Sequence, residues 1–160
     1  MLIIAFLACL PPVADTADSG DIADVGDTAD TGEVGPATLD LQFTMDADLI
    51  EDMSEPPVGI FRGSIYAEAD ASALGPADRA VPLLDFVSDS IDLTVGGGPS
   101  PVAFSTDTLD AQIIWILGCL DADANECEKG DPITFPNDNK FAIVAGPNLI
   151  DVTMELLNPR

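Results

Sequence analysis

The run at residues 111–120, AQIIWILGCL, is apolar on both faces, because Ile113, Trp115, Leu117 and Cys119 alternate with Ile114, Ile116 and Leu120. So short a run, rich in isoleucine and broken by a glycine, predicts a central strand rather than a helix, and a central strand needs neighbours on both edges. It leads straight into residues 121–131, DADANECEKGD. The chain is therefore expected to be a β-rich body built around one buried strand that ends in a cluster of oxygen-bearing side chains.

The neighbours are readable as alternating segments. Leu39, Leu41, Phe43 and Met45 alternate with Thr38, Asp40, Gln42 and Thr44, the pattern of a half-buried strand. Residues 46–57 form a polar excursion that suits an exposed connection. Residues 58–69 read as a second strand, in which Gly59 and Gly63 suggest a bulge or a close backbone approach. Two further strands are expected within residues 81–95, then a Gly/Pro loop, a short edge strand at residues 102–104, and brief strands at ITF and KFAIVA. The last segment places Ile150, Val152, Met154 and Leu156 on the inward face. Short strands separated by Gly, Pro, Asn and Asp, with no amphipathic helix, predict an all-β fold, an antiparallel β-sandwich of about seven strands over residues 37–160, with a barrel as the second choice.

Charge narrows the function classes. The 160 residues carry 29 acidic and 5 basic side chains, a net charge of -24, and no histidine. Binding nucleic acid or anionic lipid depends on Lys and Arg displacing counterions, so neither partner is expected. Without histidine, Ser-His-Asp and Cys-His arrangements are impossible, and GGGPSP lacks the lysine of a phosphate loop. A pair of carboxylates could hydrolyse a glycoside, but that reading ranks last, and a non-enzymatic role is expected. The apolar content of 47% excludes a wholly disordered acidic chain.

The N-terminal residues MLIIAFLA precede Cys9, an arrangement that resembles a lipobox, although Phe6 and Leu7 depart from its usual residues and no basic residue comes first. Residues 1–12 are thus expected to be a lipoprotein-type signal and anchor with Cys9 lipidated; a plain cleaved signal or a buried strand are the other readings. Residues 13–36 repeat D-x-A-D-x-G, with acids at every third position from Asp15 to Glu33. Period three builds neither a helical nor a strand face, so this stretch is expected to be a disordered acidic linker reaching at most about 80 Å. The implied location is a bacterial outer membrane or cell surface, with the membrane engaged only through the lipid, or else secretion.

In the loop, Asp121, Asp123 and Asn125 offer oxygens at every second residue and Asp131 can return to close the shell, a spacing suited to calcium. An EF-hand is excluded, because its glycine and glutamate positions hold Glu126 and Pro132. Zinc is disfavoured by the lack of histidine. With Cys9 lipidated, Cys119 and Cys127 remain as a pair, and a disulfide between them suits an exported protein.

The sequence ILGCLDADANECEKGDP resembles the motif of prealbumin-like (transthyretin-like, carboxypeptidase-regulatory-like) β-sandwich modules of bacterial surface proteins, departing from it at Glu126 and Cys127, where that family usually has glycine. The resemblance spans residues 58–157 and implies Asp121, Asp123, Asn125 and Asp131 as the loop acids. The function expected is a monomeric, surface-anchored β-sandwich with a structural calcium loop, serving adhesion, scaffolding or ligand presentation toward a surface protein or glycan. The alternative is a carbohydrate-binding or accessory module of a secreted enzyme system.

Overall fold

The computed structural model describes residues 35–94 and 98–159, which all belong to one compact unit, Thr31–Arg160. The expected signal and anchor at residues 1–12, with Cys9, and the linker up to residue 34 lie outside the described residues. The described chain is all-β. In order, it forms β1 (Pro36–Met45), α1 (Ala47–Asp52), β2 (Val58–Ala67), β3 (Ala71–Ser72), β4 (Gly75–Pro76), β5 (Leu84–Asp92), β6 (Phe104–Ser105), β7 (Leu109–Asp110), β8 (Ile113–Asp121), β9 (Pro132–Thr134), β10 (Lys140–Ala142) and β11 (Gly146–Leu157).

The doubly apolar run becomes β8, and it is central. One edge pairs antiparallel with β2 from Ile60 opposite Asp121 to Ala67 opposite Ile114. The other edge is shared by β9, through Cys119 opposite Ile133, and by β10, through Lys140 opposite Trp115. Asn139 fills the break between those two short strands. It is fully buried, its carbonyl accepts from Ile116 N at 3.0 Å, its Nδ2 donates to the carbonyls of Phe135 and Thr153, and its Oδ1 accepts from Thr153 N at 2.9 Å. One side chain thus does the work of a missing stretch of strand, which explains why a polar residue is tolerated there.

The main sheet runs β5-β2-β8-β9-β11-β1-β6, with β10 beside β8 and β7 beside β1. It departs from the expected antiparallel sandwich in that β1 and β11 run parallel, from Ala37 opposite Gly146 to Met45 opposite Met154. The result is one mixed sheet curled into a half-barrel. Both strands bury every second residue, and that alternation is satisfied equally by a parallel or an antiparallel neighbour, so it identifies the inward face and leaves the direction open.

Three local expectations are corrected too. Residues 81–95 supply one long strand, β5, with a register shift opposite β2 between Ile60 and Arg62, where Ser88 Oγ accepts from Phe61 N at 2.8 Å. The polar excursion contains α1, capped by Asp46, whose side chain accepts from Asp48 N, and Leu49, Ile50 and Met53 pack on the core. Leu156 is 44% exposed, because the pairing of β11 with β9 shifts between Met154 and Leu156 and the alternation slips with it.

The curl rests on a pair of glycines. Gly63 of β2 lies opposite Gly118 of β8, and a Cβ on either would overlap the Phe61 ring, that on Gly118 also the Arg62 carbonyl. Into this hollow Phe61 lays its ring, and an aromatic row crosses the concave side: Phe43 to Phe61 at 4.8 Å, Phe61 to Phe86 at 5.8 Å and Phe86 to Phe104 at 4.4 Å between centroids. The row links β1, β2, β5 and β6, and so draws the two ends of the sheet together. Asp89 N donates to the Ala103 carbonyl at 3.1 Å across the same seam. Gly118→Ala is therefore expected to cost about 3 kcal/mol, the upper part of the range for overpacking, read as a lower urea midpoint with unchanged slope, whereas Val144→Ala, at a 63% exposed position, should leave the midpoint in place.

Candidate functional site

The end of β8 delivers Asp121 to the outer face of the sheet, where it is only 1% exposed. A buried carboxylate needs donors, and the fold supplies them from the neighbouring strand and from the loop's own backbone. Arg62 of β2, registered opposite Cys119, reaches diagonally so that Nε donates to Asp121 Oδ2 at 2.7 Å. Asn125 N donates to Oδ1 at 3.2 Å and Glu126 N to Oδ2 at 3.3 Å. Burial acts to raise the pKa of Asp121, but the hydrogen bond from Arg62, the Glu126 amide, the Arg62 charge and the Ala124 amide together hold it below the ordinary carboxylate value.

Asp121 therefore organises the loop from beneath. To turn their amides onto it, Ala124 and Glu126 adopt φ of 63° and 82°, a left-handed conformation that non-glycine residues accept only when held there. Cys119, buried at the strand end, and the exposed Cys127 are joined by a disulfide with Cα atoms 6.0 Å apart. The far end is tied to the chain beyond β11, since Gly130 N donates to the Asn158 carbonyl and Asn158 N to that of Asp131, at 2.9 and 2.7 Å.

The remaining expected residues lie above this base. Asn125 Nδ2 donates to Asp123 Oδ2 at 2.7 Å and to Glu128 Oε1 at 2.9 Å, while Glu128 N donates to Asp131 Oδ2 at 2.8 Å. Asp123, Asn125 and Asp131 are thus gathered in one network with Glu128, a residue the sequence spacing did not single out. Asp121 sits below it with both carboxylate oxygens engaged by the protein. Burial raises the pKa of Asp131, as do the charges of Asp121, Asp123 and Glu128, against the lowering effect of the Glu128 amide. Among the described residues, no three Asp, Glu or Cys side chains converge as a ready-made metal cage.

A cleft of about 260 Å³ opens beside the network, between the end of α1 and the loop, and Asp52, Glu55, Asp123, Glu128 and Asp131 line it with Lys129 as its one cation. Sequence spacing could not have shown that the end of α1 and the turn after it add Asp52 and Glu55, nor that Arg62 belongs to the site. The only hint of the latter was an arginine between apolar neighbours in a strand. No protein-family model, curated protein or solved structure matches the chain.

The ion pair sets a pH dependence. Asp121 titrates below its unfolded value, so its contribution to stability is complete above the ordinary carboxylate range and is lost as pH falls through the folded pKa. Arg62 keeps 33% of its side chain exposed while Asp121 keeps none, which places the cost of Arg62→Met at the low end for a broken buried pair, about 3 kcal/mol near pH 7. Urea unfolding should show the gap between variant and parent narrowing as pH falls below the ordinary carboxylate range and through the lowered folded pKa of Asp121, where the carboxyl becomes neutral. Asp131, with its pKa raised, acts in the opposite sense, stabilising as pH falls through that pKa, and Asp131→Asn should remove this part of the profile.

Proposed function

We propose that the protein is a non-enzymatic, exported β-domain whose acidic loop binds calcium as a structural ion, presented at a cell surface through a lipid on Cys9 and the acidic spacer of residues 13–36. The observation that carries the reading is the cleft in which five carboxylates face a single lysine. Carboxylates lining one cleft raise its negative potential, which a bound cation lowers, and calcium accepts an irregular shell of oxygens. Asp123, Asn125, Glu128 and Asp131 are the ligands in this proposal. The Asn125 amide now bridges two of the acids, and turning it over would offer Oδ1 in place of its hydrogens. Asp121 keeps its place as the anchor that holds the loop.

Export is supported by the Cys119–Cys127 disulfide, a bond that persists in oxidising compartments. The likeness of the loop sequence to prealbumin-like surface modules points the same way, as does the lipobox-like start. Adhesion, scaffolding or ligand presentation is the role consistent with a module of this kind. A carbohydrate-binding accessory role is the weaker reading, because Trp115 is buried and so offers no exposed platform for a sugar ring.

Two measurements test the proposal. Calcium at a hundredfold excess over its Kd should add about 2.7 kcal/mol of stability, and Asp123→Asn combined with Glu128→Gln should abolish the gain; identical unfolding in calcium and in chelator would sink the ion. The intact mass of the mature protein from its native host should show a diacylated Cys9 as its first residue and two fewer hydrogens than the dithiol form; an unlipidated N-terminus would overturn the anchor.

A further inference from the structure

We propose that the open edge of β5 is a docking site for an extended, basic segment of a partner protein, added to the sheet as a further strand. β5 ends the sheet order, and its outward backbone contact is the single bond from Asp89 N to the Ala103 carbonyl. Toward its other end, around Leu84 to Val87, no backbone partner stands on the outer side among the described residues. An unpaired edge presents N–H and C=O groups that fit any chain in extended form.

The side chains along this edge determine what kind of chain. Val87 is 51% exposed and lies between the exposed Asp85 and Asp89, while Val102, across the seam, is 48% exposed. The neighbouring strand offers one cation in register, Arg62 opposite Val87, and that guanidinium is already turned to Asp121. The seam's other wall carries Asp40, whose carboxylate accepts from Ser105 Oγ at 2.5 Å. A second copy of this chain would set Asp85 and Asp89 against their own equivalents on a molecule of net charge -24, and like charges opposite one another destabilise strand pairs. The complementary occupant pairs along the open residues 84–87, with Lys or Arg opposite Asp85, an apolar residue opposite Val87, a second Lys or Arg extending toward the exposed Asp89 side chain, and small side chains on the face turned toward Phe86. Opposite-charge cross-strand pairs then replace repulsion on the outer face, and backbone bonds complete the edge.

The test uses the full chain with the peptide Lys-Thr-Val-Thr-Lys-Thr, blocked at both ends, its counterpart with Glu for Lys, and the Lys peptide methylated on its backbone nitrogens. The Lys peptide should shift backbone amide resonances and slow hydrogen exchange within residues 84–89, the methylated peptide should bind about tenfold more weakly or worse, and the Glu peptide should not bind. Val87→Lys should weaken the Lys peptide by a similar factor with the urea midpoint unchanged. Equal binding of the methylated peptide, perturbations centred elsewhere, or no effect of the Lys peptide at millimolar concentration would each overturn the proposal; the last would leave Asp85 and Asp89 as charges that merely protect the edge from self-association.

Discussion

The architecture depends on the meeting of Gly63 and Gly118. Two facing glycines leave a hollow on the concave side of adjacent strands that no other residue pair would leave, and the Phe61 ring fills it. With that ring lying flat against the sheet, Phe43 and Phe86 approach it from strands well separated in the sheet order. Burying an aromatic ring from both sides is worth more than its area alone, because tilted and stacked rings add about 0.5–1.5 kcal/mol per pair. The glycines therefore do more than permit a turn. They set the curvature from which the concave core follows, as glycine kinks do in curved sheets generally.

Much of this was legible in the sequence, and the part that was not has a common cause. The alternation through Leu39, Leu41, Phe43 and Met45 correctly marks buried residues, and the two-faced apolar run correctly marks β8 as central, because both signals are local. Gly59 and Gly63 announce close approach, and the structure places backbone of residues 121 and 122 against the first and the Phe61 and Phe86 rings against the second. The parallel pairing of β1 with β11 joins residues more than a hundred positions apart, and nothing in either segment encodes its direction. The slip at Leu156 likewise shows only in the pairing, where two steps along β11 answer one along β9. Helix α1 escaped notice because it is shorter than a helical period pattern can establish, and its Asp46 cap stands among many acids.

The candidate site divides along the same line. Spacing picked out the residues of the loop, since Asp123, Asn125 and Asp131 share one hydrogen-bonded network. It could not assign their parts. The decisive fact is the arrival of Arg62 from β2, which makes Asp121 a buried anchor, and that fact belongs to the register between β2 and β8. Asp52 and Glu55 enter from a segment some seventy residues away by virtue of where α1 packs.

Charge distribution connects the site to the rest of the molecule. Of the four basic residues described, Arg62 is paired with Asp121 and Lys140 with Glu68, Lys140 also lying 5.1 Å from the Trp115 ring centre. Arg79 stands almost fully exposed beside Asp78, where screening leaves it little influence, and Lys129 is the cation of the acidic cleft. Among the described residues no further cation is left for the other acids, and some of them crowd. Burial raises the pKa of Glu155, and the charge of Asp138, its hydrogen bond and the charge of Asp46 raise it further. A fold with this balance lowers its own electrostatic energy by taking up protons or cations. The positions where it can do so without rebuilding the core are those where carboxylates already face one another at the surface. The loop above Asp121, tied at its base by a disulfide and an ion pair, is where the proposed calcium would relieve that strain.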